Sequence, residues 1–251
     1  GVCGPGNFAG GDGSFDDPFQ VFDQNSLSEL RDCGDTFYYY TQNNDITLTG
    51  TWTPIPSFQG GYRGNDYKIQ GIEVDQTSNN AGLFATLSWA SIYSLKLHGS
   101  VSNTGTGTGL LAGTASNSTI GGIMAYAEVS GAANTGGLVG AAINSNITAI
   151  EIHPLATGLK ISGTGANIGG IVGYSENGQY SAEYSFIDIT GTNLASNIGG
   201  VIGNDSHTSG DYPIRESLFY KGDIEALNNG SYRCGGIAGS SDYPFNRVAV
   251  T

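Results

Sequence analysis

A short phrase of glycine followed by aliphatic or aromatic residues returns six times along the chain. The second residues of successive phrases lie 27 to 36 residues apart, a spacing at which repeats produce stacked solenoids. A fixed phrase at a nearly fixed period therefore predicts a repeat architecture. The six phrases occupy residues 81–84, 108–111, 136–139, 169–172, 199–202 and 235–238.

Each repeat has room for three short strands separated by Gly, Asn, Ser and Thr. In the first repeat these are the phrase itself, residues 92–97 and residues 100–102. Three strands and three bends in about 30 residues are typical of one turn of a single-stranded parallel β-helix, whose turns stack about 4.8 Å apart. The inward side chains of the phrases would then form an aliphatic ladder of Leu83, Leu110, Leu138, Ile171, Val201 and Ile237.

The pattern before residue 46 is different, and we expect an N-terminal cap over residues 1–45. Residues 25–31 place two leucines three apart after capping-type polar residues, which predicts one short helix that covers the open end of the sheet. Residues 46–251 would form the repeats, about six turns of them from residue 81. Residues 246–251 resemble the start of another turn, so we expect the native protein to continue beyond Thr251 or a second chain to cover this end.

Composition narrows the classes of partner. The formal net charge is −13 with only nine Lys plus Arg, so the chain lacks a basic stripe for nucleic acid or anionic lipid. No stretch of 18 apolar residues predicts a membrane span. We therefore expect no nucleic acid, no membrane insertion and a surface that is polar with little charge.

The cysteines predict one disulfide. Cys3 and Cys33 bracket the N-terminal segment and could close a loop of about 30 residues, which would contribute about 3 to 4 kcal/mol. Cys234 adjoins the last glycine pair, where we expect a small buried thiol.

Candidate chemistry is sparse. The three histidines, His98, His153 and His207, are too far apart in sequence to predict a metal cluster. Asp12, Asp16 and Asp17 could hold Ca²⁺ as the one candidate cofactor, although such residues more often form a solvated acidic lead-in. Residues 205–211 combine Asp, Ser and His in one loop and are the best place for a nucleophile, although solvated loops commonly collect these residues.

Two sets of surface residues offer alternative functions. Carboxylates on one outer face could serve glycoside hydrolysis, and the candidates are Glu183, Asp188, Glu216, Asp223 and Glu225. Aromatic rings and long loops favour binding instead, because tyrosine stacks on sugars or anchors a protein contact at little entropic cost. The predicted binding residues are Tyr174, Tyr180, Tyr184, Tyr212, Tyr220, His153, His207 and Asp211.

The repeated phrase resembles the GLUG motif, a Gly-Gly-Leu-Val-Gly repeat of bacterial surface and secreted proteins. Residues 136–140 and 169–173 are close matches, and residues 12–21 and 45–55 resemble the start of such repeat regions. Ala85 and Ala112 depart from the motif where its closing glycine is expected. The resemblance implies a right-handed parallel β-helix, secreted or on the cell surface, found in adhesins and in non-catalytic regions of surface proteases.

We therefore expect a non-catalytic adhesive or spacer module whose partner is a carbohydrate or a cell-surface protein. A carbohydrate-active β-helix enzyme and a filament subunit that self-associates end to end are the alternatives. A groove with two carboxylates would favour the enzyme, and concentration-dependent fibres would favour the filament.

Overall fold

A computed structural model describes residues 3–192, 195–210, 213–227, 233–243 and 245–251. These residues fold into parallel β-sheets with two short helices, which confirms the all-β prediction. Within these ranges no helix is both long and apolar enough to cross a membrane.

The elements follow one another in a regular order. The helices are α1 (Gln24–Ser28) and α2 (Leu30–Cys33), after one 3₁₀ turn (Pro5–Asn7). The strands are β1 (Phe19–Val21), β2 (Tyr38–Gln42), β3 (Ile46–Thr47), β4 (Ile55–Phe58), β5 (Gly60–Arg63), β6 (Lys68–Gln76), β7 (Phe84–Ser88), β8 (Ser91–Asn103), β9 (Ala112–Ser116), β10 (Thr119–Gly131), β11 (Thr135–Gly136), β12 (Val139–Ile143), β13 (Asn146–Pro154), β14 (Ile161–Gly163), β15 (Ala166–Gly169), β16 (Val172–Glu176), β17 (Gln179–Ser185), β18 (Ile189–Thr192), β19 (Ser196–Gly199), β20 (Ile202–Ser206), β21 (Arg215–Tyr220), β22 (Ile224–Leu227), β23 (Cys234–Gly235), β24 (Ala238–Ser241) and β25 (Asn246–Val250).

The described strands form three sheets, and in each sheet the neighbours follow chain order. Sheet A holds fourteen strands along the path β1-β2-β5-β8-β10-β13-β17-β21-β25, with the other five beside it. Sheet B runs β4-β7-β9-β12-β16-β20-β24, and sheet C runs β11-β15-β19-β23. The chain thus alternates between sheets B and A up to β10, and from β11 onward it also includes sheet C in each circuit. We use "pass" for one such circuit.

Equivalent residues of successive passes pair directly. Val139 lies opposite Ala112 on one side and opposite Val172 on the other. The predicted ladder is buried, since five of its side chains are 0% exposed and Ile237 is 7% exposed. Each fully buried side chain of this kind contributes about 1.5 to 3 kcal/mol, so the column is a main source of stability.

The register corrects the sequence alignment at one repeat. Ala112 pairs with Val139, so Leu111 rather than Leu110 is the equivalent of Leu138. Gly113 then takes the closing position, where a Cβ atom would come within 2.3 Å of the backbone of Asn80. Ala112 is therefore no departure from the repeat, because Thr108 pairs with Thr135 and Leu110 takes the place of Gly137, so the equivalent phrase runs one residue later than the sequence suggested.

The turns into three consecutive glycine phrases contain an asparagine ladder that the sequence analysis did not identify. Asn134, Asn167 and Asn197 all have positive φ values, between 55° and 67°. The Asn167 amide donates to Asn134 at 2.9 Å, and the Asn197 amide donates to Asn167 at 3.0 Å. Asparagine suits this turn because it tolerates the left-handed conformation and bonds to its neighbour in the next pass.

The N-terminal segment is joined to sheet A rather than separate from it. The predicted single helix is two short ones, and Asp23 and Ser26 form a capping box at the start of α1. The disulfide between Cys3 and Cys33 is present, which confirms that prediction. Strands β1 and β2 of the same segment pair with each other and, through β5, with the rest of sheet A.

The interior changes character along the passes. In the column of sheet A that faces the core, Ile92, Ile120 and Ile147 are followed by Tyr180 and Arg215. In sheet B, Ala115 and Ala142 are followed by polar residues. These two columns are therefore apolar in the middle passes and hold buried polar groups in the later ones.

Candidate functional site

A column of stacked rings runs across the outer face of sheet A. His98, Tyr126 and His153 are paired neighbours on β8, β10 and β13, and Phe186 follows directly after β17. Their ring centroids lie 4.6, 5.1 and 4.9 Å apart, with interplanar angles of 28°, 18° and 7°. Strands pair at about 4.8 Å, so the register alone brings the rings to stacking distance.

Two further rings widen this column at its later end. Phe219 lies 5.4 Å from Phe186 and 6.3 Å from Tyr184, and both pairs are tilted rather than parallel. Tyr184 is 40% exposed. We call the six residues the aromatic ridge: His98, Tyr126, His153, Tyr184, Phe186 and Phe219.

The geometry decides what the ridge can offer a ligand. The parallel rings cover one another's faces, so the column presents mainly ring edges to solvent, with hydroxyl and imidazole groups among them. Tyr184 is tilted and exposed, so its ring face remains accessible. The ridge therefore combines hydrogen-bonding edges with one accessible ring face.

The polar contacts of the ridge are local. His153 Nε2 lies 2.6 Å from Glu151 Oε1, and the Tyr126 hydroxyl lies 3.8 Å from the sulfur of Met124. Burial, and next the positive charge of Lys68, lower the pKa of His98. His98 is therefore neutral at pH 7 and can both donate and accept a hydrogen bond.

A polar cleft adjoins the first ring of the ridge. Its volume is about 400 Å³, and its walls include Gln70, Glu73, His98, Ser100 and Leu155. Glycines line part of the cleft, so no side chain fills that part. A second groove of about 270 Å³ shares Ser100 and continues along the outer face.

The carboxylates beside this cleft share one register column. Glu73 and Glu128 are the pairing partners of Ser100 on its two sides. Lysine and arginine are absent from the described walls of both grooves. The clefts are therefore lined by hydroxyl, amide and carboxyl groups, which suit a ligand rich in hydroxyl groups.

Sequence spacing carried a signal for the ridge that the analysis did not use. His98, Tyr126, His153 and Phe186 are separated by 28, 27 and 33 residues. Phe84, Ala112, Val139 and Val172, which pair in sheet B, have the same separations. Ring residues that recur at the steps of the repeat are therefore predicted to stack.

The predicted binding residues divide into several groups. His153 and Tyr184 belong to the ridge, whereas Tyr174 is half-buried on sheet B and donates to Glu176 at 3.0 Å. Burial, with the Glu176 hydrogen bond next, raises the pKa of Tyr174. His207 follows β20 of sheet B, and its ring lies against Tyr243. The remaining two, Asp211 and Tyr212, fall outside the described residues.

The prediction is wrong for Tyr180 and Tyr220. Their exposures are 0% and 1%, so neither can contact a ligand at the surface. The reason is a break in alternation, because Ala182 and Ser217 adopt positive φ. A residue in this conformation interrupts the alternation of side chains, so the residues after it point to the opposite face from the one expected. Tyr180 and Tyr184 therefore point to opposite sides of β17 although they are four apart.

The buried Asp205 and Glu183 correct two further interpretations. Asp205, expected in a solvated loop, is 2% exposed, and both its carboxylate oxygens bond to Arg215 at 2.6 Å. Glu183, expected among outer-face carboxylates, is 0% exposed. Since Asp205 is held in an ion pair and Glu183 is enclosed, neither serves the proposed nucleophile site or glycosidase pair.

The thiol prediction changes, whereas the calcium prediction stays a prediction. No three His, Cys, Asp or Glu residues of the described ranges form a metal-binding group, and Asp12 accepts a hydrogen bond from the Ser14 backbone at 2.9 Å. Cys234 is exposed rather than buried, because β23 is the outermost described strand of sheet C.

Comparison with known proteins shows the fold alone. No protein-family model matches the chain, and no curated protein matches it in sequence. A crystal structure from Bacteroides ovatus, described as a "putative immunoglobulin A1 protease", matches with a TM-score of 0.65 at 15% identity. The match covers 98% of this chain and 88% of that chain, so the two share their fold over nearly the whole length.

Proposed function

We propose that the chain is a right-handed parallel β-helix. The support is that strands of successive passes pair in parallel and in chain order in all three sheets. Each return to the main path of sheet A is a crossover through sheet B, from β11 onward through sheets C and B, and crossovers between parallel strands are right-handed in about 98% of cases. The resemblance to GLUG repeats, which implies the same fold, agrees with this.

We infer that this β-helix is a non-catalytic binding module of a secreted or surface-attached bacterial protein, and that its ligand is a carbohydrate. The observation that carries the inference is the aromatic ridge beside a polar cleft on one outer face. Sugars combine hydroxyl groups with apolar ring faces. The edges of His98 and Tyr126 suit the hydroxyl groups, and the ring of Tyr184 suits an apolar sugar face.

The charge of the chain favours a neutral ligand. With 22 acidic and nine basic residues, the protein repels anionic polymers at low ionic strength. The grooves near His98 place carboxyl and hydroxyl groups where sugar hydroxyls could donate and accept. The fold shared with the Bacteroides ovatus protein agrees with the resemblance, which includes non-catalytic regions of surface proteases.

The test is a glycan array probed with the full chain and with matched tyrosine variants. Tyr184→Ala removes the exposed ring of the ridge, whereas Tyr93→Ala removes a ring of similar exposure on β8 outside the ridge. We expect Tyr184→Ala to weaken binding about threefold to tenfold, the worth of one aromatic contact, and Tyr93→Ala to leave it unchanged.

Two results would overturn this proposal. One is the absence of binding to every glycan on the array by protein whose fold is verified by circular dichroism. The other is equal loss of binding in the Tyr184 and Tyr93 variants, since the ridge would then have no special role.

A further inference from the structure

Glu183 occupies a position that aliphatic side chains fill in the neighbouring passes. It lies opposite Ile150 on β13 and opposite Leu218 on β21, and the same column continues through Ile123. The residue is 0% exposed, and neither of its carboxyl oxygens makes a hydrogen bond within the described part of the chain. A carboxyl group in this environment strongly disfavours ionisation.

The charged groups near Glu183 do not compensate a second carboxylate. Arg215 on β21 donates from Nε and Nη2 to both carboxylate oxygens of Asp205 on β20. On β17 itself Tyr180 also faces the core, with Arg215 over its ring at 5.0 Å, whereas the adjacent Tyr184 faces outward. On β13 the facing residue is Ile150. Asp205 and Arg215 cancel, so ionised Glu183 would add one unbalanced negative charge to the core.

Strand β17 joins this buried group to the aromatic ridge. Along the strand, Glu183 and Ser185 point into the core, whereas Tyr184 points outward and Phe186 follows on the outer face. Hydration of an ionised Glu183 requires β17 to move away from the core. Such a movement would carry Tyr184 and Phe186 with it.

We propose that Glu183 makes the aromatic ridge responsive to pH, because its protonated carboxyl keeps β17 closed and its ionisation opens the strand. The role of this opening in binding rests on the proposed function. The opening itself rests on burial, on the unpartnered oxygens and on the pair that already occupies Arg215. A repeat protein allows such local opening, since each pass is stabilised mainly by its two neighbours.

The sign follows from the two protonation states. Burial raises the pKa of Glu183 from 4.5 to about 9, and the charge of Arg215 opposes this in part. Between these values the closed strand holds a proton that the opened strand releases, so closure is strongest below pH 4.5 and weakens as pH rises. The opening equilibrium should increase about tenfold per pH unit up to about pH 9 and then level off.

The test is amide hydrogen exchange of the full chain between pH 5 and pH 9, corrected for the intrinsic pH dependence of exchange. We expect opening of β17 to follow the tenfold slope in the native protein and to be independent of pH in Glu183→Gln. At pH 7 the Gln variant should open about 300-fold less often than the native protein. The reason is that pH 7 lies 2.5 pH units above the ordinary glutamate pKa of 4.5, and each pH unit is worth a factor of ten. Glu216→Gln, the same change at a half-buried position on β21, should behave as the native protein.

A second variant keeps the test decisive if the glutamine variant does not fold. Glu183→Leu continues the aliphatic column of Ile150 and Leu218, and it should also abolish the pH slope. A carboxyl carbon titration by NMR reads the group directly. A Glu183 pKa near 4.5, or a pH slope that persists in both variants, would overturn the proposal.

Binding separates this inference from the proposed function. Glycan-array signals of native protein that fall between pH 6 and pH 8, and that stay constant in Glu183→Leu, support both. Opening that depends on pH without any glycan binding refutes the proposed function and leaves the switch intact. Binding with β17 opening that is independent of pH refutes the switch alone.

Discussion

Removal of Arg215 from its buried ion pair should destabilise the later passes strongly. The guanidinium and the Asp205 carboxylate are 1% and 2% exposed, and two hydrogen bonds of 2.6 Å join them. Opposite charges about 4 Å apart attract by about 4 kcal/mol at the effective dielectric of a protein site. Arg215→Met leaves Asp205 buried without a counter-charge, so we expect a loss of about 3 to 5 kcal/mol.

A double variant separates the electrostatic interaction between Asp205 and Arg215 from the packing of their side chains. Replacing both residues by apolar ones, as Asp205→Leu with Arg215→Met, removes both desolvation penalties together with the attraction. Such replacements are close to neutral in other proteins, so we expect the double variant to recover most of the stability lost by the single one. The coupling energy between the two sites should then be at least about 2 kcal/mol.

The assay must report on the affected passes, because passes of a repeat protein can unfold separately. Urea denaturation followed by amide exchange in β20 and β21 meets this requirement, and exchange in β8 serves as an internal control. Additive effects of the two substitutions, or a loss below about 1 kcal/mol in Arg215→Met, would refute the reasoning.

Three further predictions concern the backbone and the N-terminal segment. Ala182 has a φ of 62°, so Ala182→Gly should stabilise the protein by about 0.5 to 1 kcal/mol in urea denaturation, and destabilisation would show that the turn is unstrained. Gly173→Ala would place a Cβ 2.5 Å from the backbone nitrogen of Thr135 and should lower the melting temperature by many degrees, whereas Gly210→Ala, in open space, should not. Cys33→Ser removes the disulfide that spans 30 residues and should cost about 3 to 4 kcal/mol in urea; an unchanged midpoint would contradict this.

The repeat could be predicted because the same residue types recur at the same position of each pass. Glycine next to a branched side chain recurs where the backbone of one pass approaches the next closely, and a Cβ at Gly173 or Gly140 would strike backbone atoms. The burial of Leu138 and Ile171 follows from the same phrase. The Cys3–Cys33 disulfide could be predicted because both cysteines lie in the short segment before the repeats.

The direction of individual side chains could not be predicted in the same way. Alternation with a period of two places Tyr180 and Tyr184 on one side of a strand, but the left-handed residue Ala182 between them reverses this. Alanine carries no sequence signal for that conformation, whereas Gly122 at the equivalent position of β10 would have suggested it. The same reversal turned Glu183 inward and hid the buried polar groups from sequence analysis.

In the described part of the chain each pass pairs with the passes before and after it, and this also determines how the molecule responds to a pull on its two ends. Under such a force the hydrogen bonds between passes would break one pass at a time, starting from an end of the chain. Each pass of about 30 residues would lengthen the chain by about 100 Å when it unravels. The protein would then extend in a series of separate steps under force. The Cys3–Cys33 disulfide would prevent residues 3–33 from extending in the same way.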